Sequence, residues 1–227
     1  FFAPSLRIWD VNSANLVDRF ITNSNYTARR IKSYYNRDAD VVFCPCDIER
    51  YKAVPREPLD FYLFFGQITY NKRVDLAIGA CISLGRKIVV AGAVSDEKLL
   101  ASYKNEPLVC FTGRISDNEL VRYYSQARAL LFPGIEDMGL VPVEAQAAGC
   151  PVIAYRHGGV LDTVLDNVTG VFFDEQSVNS LTSAIKRFEE IEGIFRDRTP
   201  FSANVERFST QAFLERIKKI VEDGRRK

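Results

Sequence analysis

Glu136 and Glu144 stand eight positions apart in Gly134-Ile135-Glu136-Asp137-Met138-Gly139-Leu140-Val141-Pro142-Val143-Glu144, where a loop gives way to a helix. The apolar run Ala129-Leu130-Leu131-Phe132 before it reads as a buried strand that stops at Pro133-Gly134. Pro142 suits the first turn of a helix that Gly149 ends. Unpaired backbone N–H groups therefore converge just after Gly139, where the helix dipole places roughly half a positive charge. Such a point attracts phosphate, and acids beside it accept hydrogen bonds from hydroxyl groups. A phosphorylated, hydroxyl-rich molecule such as a nucleotide sugar carries both features. Lys72 and Arg73, at the start of a helix following Gly66, supply a second candidate contact for phosphate.

These residues need elements to hold them. From Phe61 onward apolar strands recur at 61–65, 87–91, 108–111, 129–132, 151–154 and 170–173, with helical patterns between them. The alternation predicts an α/β fold, a Rossmann-like parallel sheet with helices on both faces. Ligands of such sheets bind beyond the carboxyl ends of the strands, where the strand order reverses. Gly66, Gly113-Arg114-Ile115, Glu136 to Leu140 and His157-Gly158-Gly159 all follow strands, so one crevice can collect them. Upstream, residues 17–47 read as strand Phe20-Ile21-Thr22, a helix from Tyr26 to Tyr35 capped by Asn23 or Ser24, and strand Val41-Val42-Phe43. Helical periodicity over Thr182 to Ile194 and Val205 to Val221 closes the chain. The spacing of Tyr34-Tyr35 and of Phe61 to Phe65 predicts core packing.

Composition narrows the function classes. The chain has 227 residues, 47% hydrophobic and 26% charged, with 30 basic against 29 acidic side chains. A net charge of +1 gives no global field for nucleic acid or an anionic membrane. No apolar run approaches the ~20 residues that span a bilayer. Cys44, Cys46, Cys81, Cys110 and Cys150 lack metal-ligand spacing, which predicts buried, reduced thiols of a cytoplasmic protein. The single histidine, His157, cannot build a metal site with them. The only methionine is Met138, which predicts a chain that begins inside a longer protein or has lost its start. An oxidoreductase on a similar sheet would carry G-x-G-x-x-G after its first strand, and Gly66-Gln67-Ile68-Thr69 fails that pattern.

The E-x7-E stretch closely resembles the signature of family-4 retaining glycosyltransferases of the GT-B fold, specifically their C-terminal donor-binding domain. Phe64-Phe65-Gly66-Gln67 through Asp75 is similar to that family's diphosphate-binding loop, and Gly158-Gly159-Val160-Leu161-Asp162 to its Gly-Gly loop, with Asp162 where Glu is commoner. Within the family the chain looks most like archaeal and bacterial GDP-mannose-dependent mannosyltransferases of polysaccharide biosynthesis. The resemblance implies residues 1–55 as the tail of the acceptor-side domain and linker, 56–203 as the donor domain, and 204–227 as a crossover helix. It implies catalytic roles for Lys72, which neutralises the departing diphosphate, and Glu136, which contacts the sugar near the transferring carbon. Glu144 would accept the ribose hydroxyls. Gly66, Gln67, Arg73, Arg114 and Ile115 would line the donor, and the N–H groups of Met138, Gly139, Leu140 and Val141 would hold its oxygens. An ordinary loop role for Arg114-Ile115 stays open. Gln67 stands where the family usually has arginine, which leaves Arg73 or Arg114 to compensate.

The implied reaction moves a hexose with retention, without a protein nucleophile, metal or cofactor beyond the donor, GDP-mannose or another nucleotide sugar. A glycan or lipid-linked acceptor would come through a missing N-terminal domain, so this chain alone is expected inactive. A cytoplasmic setting, compatible with peripheral placement at the inner face of the membrane, follows from the same likeness. A noncatalytic nucleotide-sugar-binding module and a UDP- or ADP-sugar enzyme are the alternatives.

Overall fold

The computed structural model describes residues 2–95 and 97–225. Six parallel strands form the main sheet: β3 (Tyr62–Phe65), β4 (Ile88–Ala91), β5 (Val109–Gly113), β6 (Leu130–Phe132), β7 (Val152–Tyr155) and β8 (Gly170–Phe173). Before them, β1 (Phe20–Thr22) and β2 (Ala39–Val41) pair in a separate two-stranded parallel sheet. The helices are α1 (Ala3–Ala14), α2 (Asn25–Tyr35), α3 (Ile48–Lys52), α4 (Val74–Ser83), α5 (Glu97–Ser102), α6 (Asp117–Gln126), α7 (Leu140–Ala147), α8 (Val160–Thr163), α9 (Val178–Ile191), α10 (Thr199–Val205) and α11 (Thr210–Arg225).

The main-sheet strands are apolar without polar alternation because both faces are covered. Successive side chains point to opposite faces. Leu63, Leu130, Val152, Ala154 and Phe172 accordingly join one core with α3, α6 and α7. Tyr62, Phe64, Leu131, Ile153, Val171 and Phe173 join the other, beneath α4 and α9. Helix α9 buries Leu181, Ala184, Ile185 and Phe188, the i, i+3, i+4, i+7 stripe of a helix lying on a sheet. The strand order is β5-β4-β3-β6-β7-β8, so the winding reverses between β3 and β6. Leu63 and Leu130 are the register pair that joins these two strands.

Several local expectations need correction. The second N-terminal strand ends at Val41, not Phe43. Pairing with Phe20–Thr22 sets its register, and the amide of Val42 makes the last bond, to the carbonyl of Thr22. Helix α2 buries no residue, because it packs mainly on the small sheet. Tyr34 is therefore 68% exposed, and Tyr35 stacks on Phe20 instead of entering the core. The helix expected over 205–221 breaks at Phe208, which is fully buried, and restarts beyond Ser209, whose hydroxyl accepts from the amide of Ala212. Helix α9 starts four residues before Thr182 because Ser177 caps it. Cys46, Cys81 and Cys150 are buried, but Cys44 is only partly covered and Cys110 is exposed on edge strand β5. Burial pushes the thiols of Cys46 and Cys81 up to about 12, well away from reactivity.

Candidate functional site

The loops after β3, β6 and β7 meet at the carboxyl edge of the sheet around the β3/β6 reversal, and the loop after β5 lies on the same edge two strands away. Lys72 closes a single 3-10 turn, Tyr70–Lys72, and Arg73 follows in the left-handed region at φ 52°. Both cations thus precede α4 instead of lying within its first turn, where they would oppose its dipole. Arg73 turns back onto Asp75, with Nε and Nη2 donating at 3.1 and 3.0 Å, so this guanidinium is engaged within its own helix start. Lys72 reaches across the strand reversal, its Nζ donating to Oε1 of Glu136. Gly134 permits the meeting: a Cβ there would lie 3.1 Å from the carbonyl oxygen of Asn71 and from Cα of Lys72.

The loop carrying Glu136 rests on the glycine pair. A Cβ at Gly159 would lie 2.2 Å from the carbonyl oxygen of Asp137, and one at Gly158 2.7 Å from that of Glu136. The amide of Gly159 donates to Glu136 O at 2.8 Å. From the other side the buried Met138 presents Sδ to the amide of Cys44 at 3.2 Å. Gly139, at φ 79°, then turns the chain into α7. The N–H groups of Met138, Gly139, Leu140 and Val141 donate to no backbone acceptor among the described residues. Gly66 has φ 150° and open space where its Cβ would be. Gln67 is exposed and its amide donates to Ser95 Oγ at 2.8 Å. Arg114 is exposed, without an ion pair among the described residues, whereas Ile115 packs partly buried against the core.

Glu144 belongs to the second turn of α7, and the first turn holds no acid, so helix-start electrostatics does not account for it. Tyr124 donates to its Oε2 at 3.0 Å, and Tyr51 is a second hydroxyl partner. Tyr124 is fully buried and meets the ring of Phe65, the last residue of β3, edge-on at 6.2 Å. This chain of contacts ties Glu144 to the loop that begins at Gly66. No local sequence signal around Tyr51 or Tyr124 marks either tyrosine as the partner of a carboxylate. Their phenolic oxygens facing a carboxylate are visible only in three dimensions.

Burial pushes the pKa of Glu144 up, and the two hydroxyls pull it back. A carboxyl group with a raised folded-state pKa stabilises the fold below its unfolded pKa and loses that contribution as pH rises through the folded value. Glu144→Gln is therefore expected to gain stability relative to wild type as pH climbs from acid to neutral. Urea midpoints of both proteins across that range test it, and a difference independent of pH would contradict it.

Residues 47–208 match the family model described as Glycosyl transferases group 1. The chain belongs to the group 1 glycosyl transferases. This glycosyltransferase chain is 33% identical over 209 residues to D-inositol 3-phosphate glycosyltransferase of Mycobacterium sp. (strain KMS), covering 80% of the chain and 47% of that protein. It is 28% identical over 192 residues to the GDP-mannose-dependent alpha-(1-6)-phosphatidylinositol monomannoside mannosyltransferase of Mycolicibacterium smegmatis, covering 81% and 47%. The chain thus spans about half the length of these relatives. Among solved structures, Anabaena HepE in complex with UDP and glucose superimposes with a TM-score of 0.80 at 18% identity, over 95% of this chain and 66% of that one. The sheet is therefore that of a GT-B glycosyltransferase.

In this group 1 glycosyltransferase, helix α2 lies beside the site loops. Arg30 pairs with Asp137 at 2.7 Å, next to Glu136. Asn25 donates twice to Asp162, at 2.7 and 2.8 Å, so the aspartate of the Gly-Gly segment anchors α2. His157 is exposed and lies between Tyr26 and Tyr155, with ring centroids 5.4 and 5.9 Å away. No helix among the described residues is long and apolar enough to cross a membrane.

Proposed function

We propose that the chain, with residues 56–203 as its centre, is the donor-binding part of a retaining hexosyltransferase that takes mannose from GDP-mannose. A glycan or lipid-linked hydroxyl bound by a further domain receives the sugar, in the cytoplasm or at the inner face of its membrane. The observation that carries this reading is the contact between Lys72 and Glu136 across the strand reversal, beside the unpaired amides that open α7. As the glycosidic bond loosens, negative charge grows on the diphosphate and positive charge on the sugar. A cation and an anion already held together suit that separation: Lys72 and the amides toward the phosphates, Glu136 toward the anomeric carbon. Glu144, aimed by Tyr124 and Tyr51, takes the ribose hydroxyls.

The mannosyltransferase relative supports GDP as the nucleotide, at 28% identity. HepE, solved with UDP and glucose, supports a uridine donor through fold likeness alone. Calorimetric titration of this chain with GDP, UDP and ADP distinguishes them. GDP is expected to bind most tightly. Tighter UDP binding would overturn the base assignment, and no binding of any at millimolar concentration would overturn the donor site itself. Gln67, spending its amide on Ser95, favours a noncatalytic binding module. A transfer assay on the full-length protein separates that reading from an enzyme.

A further inference from the structure

A cavity of about 850 Å³ opens at the amino edge of the sheet, on the side away from the site loops, and four arginines and three acids line it. The acids are largely neutralised within the fold. Arg86 holds Glu189 through two bonds of 2.8 Å, and Arg128 bridges Glu189 at 3.0 Å and Glu192 at 2.7 Å. Arg56 and Arg198 have no carboxylate partner among the described residues. Arg56 donates to the carbonyls of Tyr124, Ser125 and Arg128 at 2.9, 3.0 and 2.9 Å, which fixes its plane and leaves two of its five N–H groups.

Arg198 is half-buried, and its guanidinium donates no hydrogen bond among the described residues. Its guanidinium lies against Gly149 at the end of α7, where an added Cβ would come within 2.6 Å of Nε. Gly149 sits at φ 76°, so the backbone itself keeps that space clear for Arg198. Burial and then the charge of Arg56 hold the guanidinium of Arg198 below its ordinary pKa, the direction expected of a cation that lacks an anion.

We propose that Arg56 and Arg198 form a second ligand site, for a phosphate monoester held by the two guanidinium forks. The organic body of the ligand lies against Pro55, Pro58 and Phe195. Two forks in one cavity match a dianion with three free oxygens better than a monoanionic carboxylate. The volume falls in the range of small-molecule sites. Hydroxyl groups of a sugar body can meet the rim carboxylates of Asp60 and Glu192.

Calorimetry with a hexose 6-phosphate and with the unphosphorylated hexose tests the site in wild type, Arg198→Gln and Lys72→Ala. Saturable binding of the phosphate only is expected, weakened about ten-fold in Arg198→Gln, the value of one charged hydrogen-bonding group. Lys72→Ala, at the opposite edge, is expected to bind the hexose phosphate like wild type. No saturable binding at millimolar concentration, equal binding of the free hexose, or loss in Lys72→Ala but not in Arg198→Gln would each overturn the proposal. If Arg198→Gln does not fold, Arg198→Lys keeps the charge and removes the fork. Weakened binding then supports the site and unchanged binding overturns it.

Discussion

Lys72→Ala should weaken binding of GDP about ten- to a hundred-fold while changing binding of guanosine little, as read by calorimetry on both ligands. The asymmetry follows from position. Lys72 ends the turn after the β3 loop and projects across the strand reversal to Glu136, toward the amides that open α7. Its charge is close to where a diphosphate would lie, whereas Glu144, held by the buried Tyr124, would meet the ribose of the nucleoside. Removing the ammonium also leaves Glu136 without its cation, so the carboxylate then repels phosphate and adds to the loss. Arg73 cannot take over without giving up both bonds to Asp75. Equal weakening of guanosine and GDP would show that Lys72 supports the fold of the loop and does not contact the diphosphate.

Gly159→Ala is expected to cost about 3 kcal/mol of stability and to abolish nucleotide binding, because the added methyl overpacks backbone. The methyl would lie 2.2 Å from the carbonyl oxygen of Asp137 and 2.4 Å from Cα of Met138. Neither is the end of a flexible side chain, so the loop between Glu136 and Gly139 must move as a unit. Glu136 would leave Lys72, and the amides that open α7 would turn away from their common focus. Gly193→Ala is the control: it adds a methyl where nothing lies within 4 Å, and its effect should stay within about 0.5 kcal/mol. Urea midpoints of the two variants check the stability term, and GDP titration checks the site. Wild-type binding by a folded Gly159→Ala protein would mean that this loop does not form the donor site.

Much of the architecture was written in local pattern. Apolar runs ending in Pro133-Gly134 or Gly66 define buried strands and their exits, and the helical periodicity over Thr182 to Ile194 defines most of a helix on the sheet. These follow from side-chain period and turn chemistry, which act within a few residues. The alternation of such segments was enough for a parallel sheet, and hence for the edge where loop residues collect.

Contacts between distant segments were not legible, because no local preference encodes them. The pairing of Lys72 with Glu136, the turn of Arg73 onto Asp75 and the support of Glu144 by Tyr124 and Tyr51 depend on which strands became neighbours. The exposure of Tyr34 shows the same limit: its spacing suits a core, but α2 has only a small sheet to cover. Sequence alone thus determined the six strands of the main sheet and their parallel arrangement, because periodicity and chain stiffness are local. Tertiary structure decided which charges meet, which glycines must stay bare and which arginines are left without an anion, because these depend on spatial neighbours far apart in the chain.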